Sequence, residues 1–208
     1  IGMPELEYEA FLHIKEMRDK YEYMQSFNTS TKVDIAKTLA MFGAFTEGLQ
    51  LFASFAILLN FPRFNKMKGM GQIVTWSARD ETLHTNSMIK LFHTFLSENP
   101  EIKSQDLFED LTKACSVVVE QEDAFIDKAF ELGAVEGLDA SSVKKYIRYI
   151  ANSRLNQLGI DRLYNIGKNP LPYMDEMLNS LEHANFFESR ATEYSRAATQ
   201  GTWEEAFN

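Results

Sequence analysis

Cysteine is nearly absent from this chain: of 208 residues, Cys115 alone carries a thiol. That excludes an internal disulfide and a multi-cysteine metal site, and its place in the apolar run Ala114 to Val119 marks a core thiol in a reducing compartment. Proline is scarce, with five residues, and ten glycines are thinly spread, so long regular elements go largely uninterrupted. No run of about 18 unbroken apolar residues occurs. The opening Ile1-Gly2-Met3-Pro4 lacks the charged and apolar regions of a signal peptide. The expected location is cytoplasmic, with no membrane partner. Positive charge is also in deficit: 21 Lys and Arg face 30 Asp and Glu, for a net charge of −9. A phosphate backbone selects clustered cations, and the densest cluster, Arg63 to Lys68, holds only three, so nucleic acid is excluded as a main partner. The start lacks an initiator methionine, and Pro4-Glu5-Leu6-Glu7 reads as a new helix with proline in its first turn; the chain is expected to begin mid-protein.

What is present is helical periodicity. Hydrophobic residues make up 45% of the chain and charged residues 25%, ordinary for a globular protein. Apolar positions recur at three and four residues, without the sustained alternation of strands, so the class is all-α. A first helix is expected from Glu5 to Phe27. The cluster Asn28-Thr29-Ser30-Thr31 breaks it and caps a second, running to about Asn60 and ended by Pro62. A third should begin after Gly69 and Gly71 and run to Ser97, stopped by Asn99-Pro100. A fourth spans Asp106 to Leu132 with Gly133 as its stop, and a fifth Ser141 to Leu158. The longer helices reach about 40 Å at 1.5 Å per residue, and long helices on short loops imply a bundle. Gly167 to Pro172 reads as a rigid connector, dividing a bundle core, residues 1–172, from a C-terminal segment, residues 173–208.

The chemistry-bearing feature is Glu81-Thr82-Leu83-His84, a carboxylate and an imidazole three apart on one helix face. Val74, Ser77, Glu81, His84, Met88 and Leu91 fall at intervals of three or four, which places both polar groups in the stripe expected to face the core. Glu47 adds a second acid on a separate, very apolar helix, with little bulk at Gly43 and Ala44 before it and with Leu51 and Phe55 after it. An ionised group there needs compensation. Carboxylate oxygens plus imidazole suit iron or manganese, and a dinuclear site in a bundle takes one Glu from each of two helices and a Glu-x-x-His from each of two others. Glu47, Glu81 and His84 make one half of that set. The bland alternative is a Glu and a His that satisfy each other or neighbouring helices. No second Glu-x-x-His exists in the chain. Glu9 and His13, four apart, read as a surface pair, and neither His93 nor His183 completes the set.

Three segments carry a resemblance. Phe45 to Phe55 is similar to a helix bearing a lone Glu ligand, Ala78-Arg79-Asp80-Glu81-Thr82-Leu83-His84 to an Ala-Arg-Asp-Glu-x-x-His helix, and Asn185-Phe186-Phe187-Glu188-Ser189-Arg190-Ala191-Thr192-Glu193-Tyr194 to a late Asn-Phe-Phe-Glu-x-Arg-x-Thr-Glu-Tyr segment. Together they resemble the C-terminal two-thirds of the small (beta) subunit of class I ribonucleotide reductase. The resemblance implies a ferritin-like long-helix bundle, incomplete at its N-terminus, in which Glu47, Glu81 and His84 ligate one side of a dinuclear iron, manganese/iron or dimanganese centre. Asp80 would take the place behind a ligand histidine that couples the cluster to radical transfer. Leu51 and Phe55 would wall the oxidant, a role that core packing would equally assign them. The implied activity is dioxygen activation that supplies an oxidising equivalent to the large (alpha) subunit for deoxyribonucleotide synthesis. The partner would be docked through a tail containing Trp203, Glu204, Glu205 and Phe207, in a homodimer. The other ligands and the radical residue would lie upstream of Ile1. Rival classes are a dimetal ligand-binding oxidase on the same bundle and a non-catalytic helical interaction protein.

Overall fold

The computed structural model describes residues 9–179. Readings that fall on 1–8 and 180–208, among them His183, the Asn185 to Tyr194 segment and the Trp203 to Phe207 end, lie outside the described residues. A short 3-10 turn, Ala10–His13, precedes α1 (Lys15–Gln25). Then come α2 (Lys32–Ala40), a π-helical segment (Met41–Gln50), α3 (Phe52–Arg63), α4 (Lys68–Glu98), α5 (Gln105–Ala129), α6 (Ala140–Gln157) and α7 (Pro172–Asn179). Among the described residues there is no strand, only an isolated bridge between Val135 and Leu138. The all-α class stands.

Side-chain caps start three of these helices. At α2, Thr31 and Asp34 form a reciprocal capping box: the Asp34 N–H donates to Thr31 Oγ1 at 3.1 Å and the Thr31 N–H to Asp34 Oδ2 at 3.1 Å. Ser104 accepts from the Leu107 N–H at 3.2 Å to start α5, and Asp139 accepts from the Ser142 N–H at 2.8 Å to start α6. Each such cap contributes about 1 kcal/mol.

Four expectations about helix form and bounds need correction. The first helix is broken at Ile14, which is extended (φ −89°, ψ 114°); the bend sets Phe11 edge-on to Tyr21 at 6.4 Å. The second is not one α-helix, because ten residues, Met41–Gln50, take the wider π form. Pro62 does not end that rod, which runs to Arg63. Gly69 and Gly71 belong to the third helix rather than preceding it, since α4 begins at Lys68. The last two share a cause: a Cβ on Gly71 would lie 2.2 Å from Pro62 Cγ, so the proline ring packs where the glycine leaves room. The connection between them is therefore short, with Asn65 and Met67 in the left-handed region (φ 62° and 48°).

A fifth correction concerns the buried stripe of α4. It is Ala78, Thr85, Ile89, Phe92 and Leu96. Ser77 and His84 are exposed and Leu91 is 48% exposed, so the stripe through Glu81 and His84 lies on the flank of the helix rather than facing the core.

The π segment occupies the middle of the bundle, with α2, α4, α5 and α6 all packed on it. Met41, Phe45 and Leu49 are completely enclosed there with Phe92 of α4, Val118 and Ile126 of α5, and Ile147 and Leu155 of α6. Each such side chain contributes about 1.5–3 kcal/mol by leaving water. The stretch Lys32–Arg63 is apolar and long enough to cross a membrane on composition, with mean hydropathy 1.5 in its best window, but 61% of that window is buried inside the bundle, as befits a core helix. After α6 the chain is held by Asn152, whose side chain donates to Tyr164 O at 2.7 Å and accepts from the Leu163 and Tyr164 N–H groups at 3.1 and 3.0 Å. In α7, Met174 is fully buried, and Tyr173 donates its hydroxyl to Ala56 O at 2.7 Å beneath the Arg63 guanidinium, 4.2 Å from the ring centre.

Candidate metal centre

Two rods set the positions of the three donors. Glu47 lies in the second half of the π segment, and Glu81 and His84 lie one turn apart near the middle of α4. The rods come close because glycine faces α4 from the π segment: a Cβ on Gly43 would stand 2.3 Å from Met88 Cβ, and one on Gly48 would stand 2.9 Å from Thr85 Cγ2. Larger residues at either place would push α4 outward and carry Glu81 and His84 away from Glu47.

With the rods at this distance the donors converge. One ligand atom each from Glu47, Glu81 and His84 lies within 4.8 Å of the other two. His84 Nδ1 is 3.4 Å from Glu81 Oε2, and its Nε2 is 3.8 Å from Asp80 Oδ1, so the imidazole lies between two carboxylates. Exposure grades across the site: the Glu81 side chain is 23% exposed, His84 49% and Asp80 66%. Glu47 is the most enclosed in its chemistry, because its Oε2 is buried with no hydrogen-bond partner. Burial holds the Glu47 carboxyl above the ordinary carboxylate value. The charge of Glu81 pushes it the same way and His84 opposes them. A buried carboxylate oxygen without a donor, beside a second carboxylate, is an unfavourable arrangement in protein alone. A divalent cation removes both defects, and two oxygens with one imidazole nitrogen are a donor set suited to iron or manganese.

The remaining sequence candidates separate from this cluster. Glu9 and His13 are both exposed, as a surface pair should be, and the 3-10 turn around them is not the α-helix that their spacing suggests. His93 Nε2 lies 2.7 Å from Gln157 O, near the far end of α4. Phe55 is buried in the core and meets Phe52 edge-on at 5.6 Å, while Leu51 is half-buried. Cys115 is enclosed, and burial alone pushes its thiol up to about 12, as expected of an inert core thiol.

Two contributors escaped the sequence reading. One is the π form itself, a feature that recurs at functional sites; the spacing of Gly43 and Gly48, five rather than three or four, was its one local signal. The other is Arg154 of α6, 106 positions from Gly48, whose Nε donates to Gly48 O at 2.8 Å. Nothing in the letters around Arg154 announces that contact.

Comparison with known proteins places this geometry in a lineage. A family model described as "Ribonucleotide reductase, small chain" matches residues 3–170. A ribonucleoside-diphosphate reductase small subunit of Invertebrate iridescent virus 3 is 43% identical over 223 residues, covering 98% of this chain and 59% of the relative. This chain thus spans about three-fifths of that relative's length. Among solved structures, a class I ribonucleotide reductase from Bacillus halodurans is similar with a TM-score of 0.76 at 22% identity, over 82% of this chain and 62% of that one. The dimanganese(II)-NrdF of Streptococcus sanguinis is similar with a TM-score of 0.65 at 21% identity, over 78% and 56%. At such identities the structures speak for the fold, a ferritin-like helical bundle.

Proposed function

The chain belongs to the ribonucleotide reductase small-chain family, and from that premise we propose that Glu47, Glu81 and His84 hold one side of a dinuclear carboxylate metal centre. The observation that carries the reading is the convergence of these three donors within 4.8 Å around a Glu47 oxygen that has no protein partner. The metals are iron, manganese or one of each; the manganese pair of the Streptococcus sanguinis dimanganese(II)-NrdF favours including manganese. When bound, such a centre supplies reductive activation of dioxygen to a stored oxidising equivalent.

The chain's own residues set the conditions for that chemistry. Glu47 and Glu81, on separate rods, contribute negative charge from two directions, and each can hold a metal through one oxygen or two. His84 must be neutral to ligate, with one ring nitrogen free of its proton. Asp80, one turn before it, is the carboxylate placed to steady an imidazole and to take part in radical transfer. Leu51 and Phe55 exclude water from the apolar side. The function is that of the radical-generating subunit of ribonucleoside-diphosphate reductase, acting with a large subunit. Within the C-terminal segment, residues 173–208, the end bearing Trp203, Glu204, Glu205 and Phe207 docks that partner. The protein works in the cytoplasm as a homodimer, without nucleic acid or membrane.

The test is metal analysis with electron paramagnetic resonance on the full-length protein, reduced, loaded with iron or manganese and exposed to oxygen. Two metals per chain with a radical signal support the reductase reading. Two metals without a radical favour an oxidase on the same bundle, and no metal favours an inert helical protein.

A further inference from the structure

Ten consecutive residues of π-helix are rare, because the wider turn gives up hydrogen-bond geometry and backbone packing. Such a segment persists where its surroundings reject the α alternative. Two features of Met41–Gln50 do so. Gly43 and Gly48 both face α4, against Met88 and Thr85, which are three residues apart there. In an α-helix a five-residue step is about 500°, which would turn the two glycines about 140° apart. The π form lets both of them meet one neighbouring helix.

The second feature is Arg154. It is 6% exposed and straddles the junction at which π returns to α. Its Nε donates to Gly48 O at 2.8 Å, while its guanidinium lies 5.5 Å from the centre of the Phe52 ring, at the first residue of α3. Its Nη1 donates to Gln157 Oε1 at 2.9 Å. Among the described residues no carboxylate pairs with it. Burial lowers its pKa to about 10, well below the ordinary guanidinium value. A buried cation that meets only neutral acceptors is a poor choice for stability alone. Here it grips the carbonyl of the residue next to Glu47. The approach is so tight that a Cβ on Gly48 would lie 2.8 Å from Arg154 Nε. A side chain inserted into a helical ladder in this way is a recognised cause of local departure from α geometry.

We infer that Arg154 is a positioning residue: through Gly48 O it locks the π register of Met41–Gln50 and so aims Glu47 at Glu81 and His84. The link to metal binding rests on the function proposed above, whereas the lock on the register does not.

The test compares wild type, Arg154→Met and Arg154→Lys in the full-length protein by amide hydrogen exchange and by titration with Mn(II) alone. In Arg154→Met, amides 46–53 should exchange at least about tenfold faster while those of α5 keep their rates. Mn(II) binding should weaken about tenfold. Arg154→Lys restores an N–H donor and should recover most of both effects. Equal acceleration across α5 and the π segment, or no change in either, overturns the lock. If Arg154→Met does not fold, Gly48→Ala serves instead, because it keeps the arginine but drives its Nε off the carbonyl; wild-type exchange in that variant likewise overturns the proposal. If wild type takes up no Mn(II), the metal reading falls, and the exchange pattern alone decides the lock.

Discussion

Two carboxylates in the middle of the bundle, Glu47 of the π segment and Glu122 of α5 packed on it, have opposite surroundings. Glu122 of α5 is completely enclosed and pairs with Lys20 of α1, itself 8% exposed and lying 4.3 Å over the Phe125 ring. Glu47 has a buried oxygen with no hydrogen-bond partner, a second carboxylate as neighbour and, among the described residues, the half-exposed His84 as its potential cation. A lysine answers the first acid at one oxygen, although Glu122 Oε2 also lacks a hydrogen-bond partner; the second acid has another carboxylate beside it instead of a lysine. An unanswered charge on a well-packed rod separates a ligand site from a structural ion pair, because a fold selected only for stability would have placed a cation or an amide beside it.

The largest effect that sharpens this contrast is expected at Lys20. Lys20→Met strands Glu122 in the core and should cost about 3–5 kcal/mol at pH 8, read as the denaturant midpoint of unfolding. Burial already pushes the Glu122 carboxyl up to about 7 against the opposing pull of Lys20. A folded acid with a raised pKa contributes stability that is complete below the ordinary carboxylate range and is lost as pH rises toward that value. The Lys20→Met penalty should therefore shrink markedly at pH 5, where Glu122 takes a proton. A penalty independent of pH would show that the pair is not what α1 loses.

Asp123 and Arg148 provide an intermediate case. Their bidentate pair, at 2.9 and 2.6 Å, joins α5 to α6 with side chains 22% and 29% exposed. Asp123→Asn should cost about 1–2 kcal/mol, a fraction of the Lys20 effect, because water reaches both partners. Glu47 should show the opposite sign. Glu47→Gln removes a charge with no counter-charge and should stabilise the metal-free protein by about 1 kcal/mol while abolishing tight Mn(II) uptake. Destabilisation of the metal-free protein would mean that Glu47 is answered by local contacts after all. The smallest expected effect lies at the surface: Lys15 and Asp19 are in contact at 2.6 Å but 72% and 41% exposed, and Asp19→Asn should leave the thermal midpoint unchanged.

Much of this architecture is legible in the sequence. Helix existence and most stops followed from local signals: Thr31, in the cluster expected to cap the second helix, does cap it, and Glu47, Glu81 and His84 do converge. What failed did so for a physical reason in each case. The assumption of 3.6 residues per turn hid the π segment and left the Gly43 to Gly48 spacing unread. On α4 the stripe through Glu81 and His84 looked like the core face because Val74, Met88 and Leu91 share it, yet Leu91 is half-exposed, and Ala78, Thr85, Ile89 and Phe92 point inward. Pro62 and Gly71 were read as separate punctuation when they are two halves of one contact. Arg154 and Lys20 meet their partners across more than 100 residues, a separation over which local pattern carries no information.

Anomalous diffraction from crystals of the full-length protein grown with Mn(II) tests the account most directly. The account predicts a manganese peak within coordination distance of Glu47, Glu81 and His84, with Glu47 Oε2 as a ligand. A peak elsewhere, or a Glu47 carboxylate fully hydrogen-bonded to protein in manganese-saturated crystals, would contradict it.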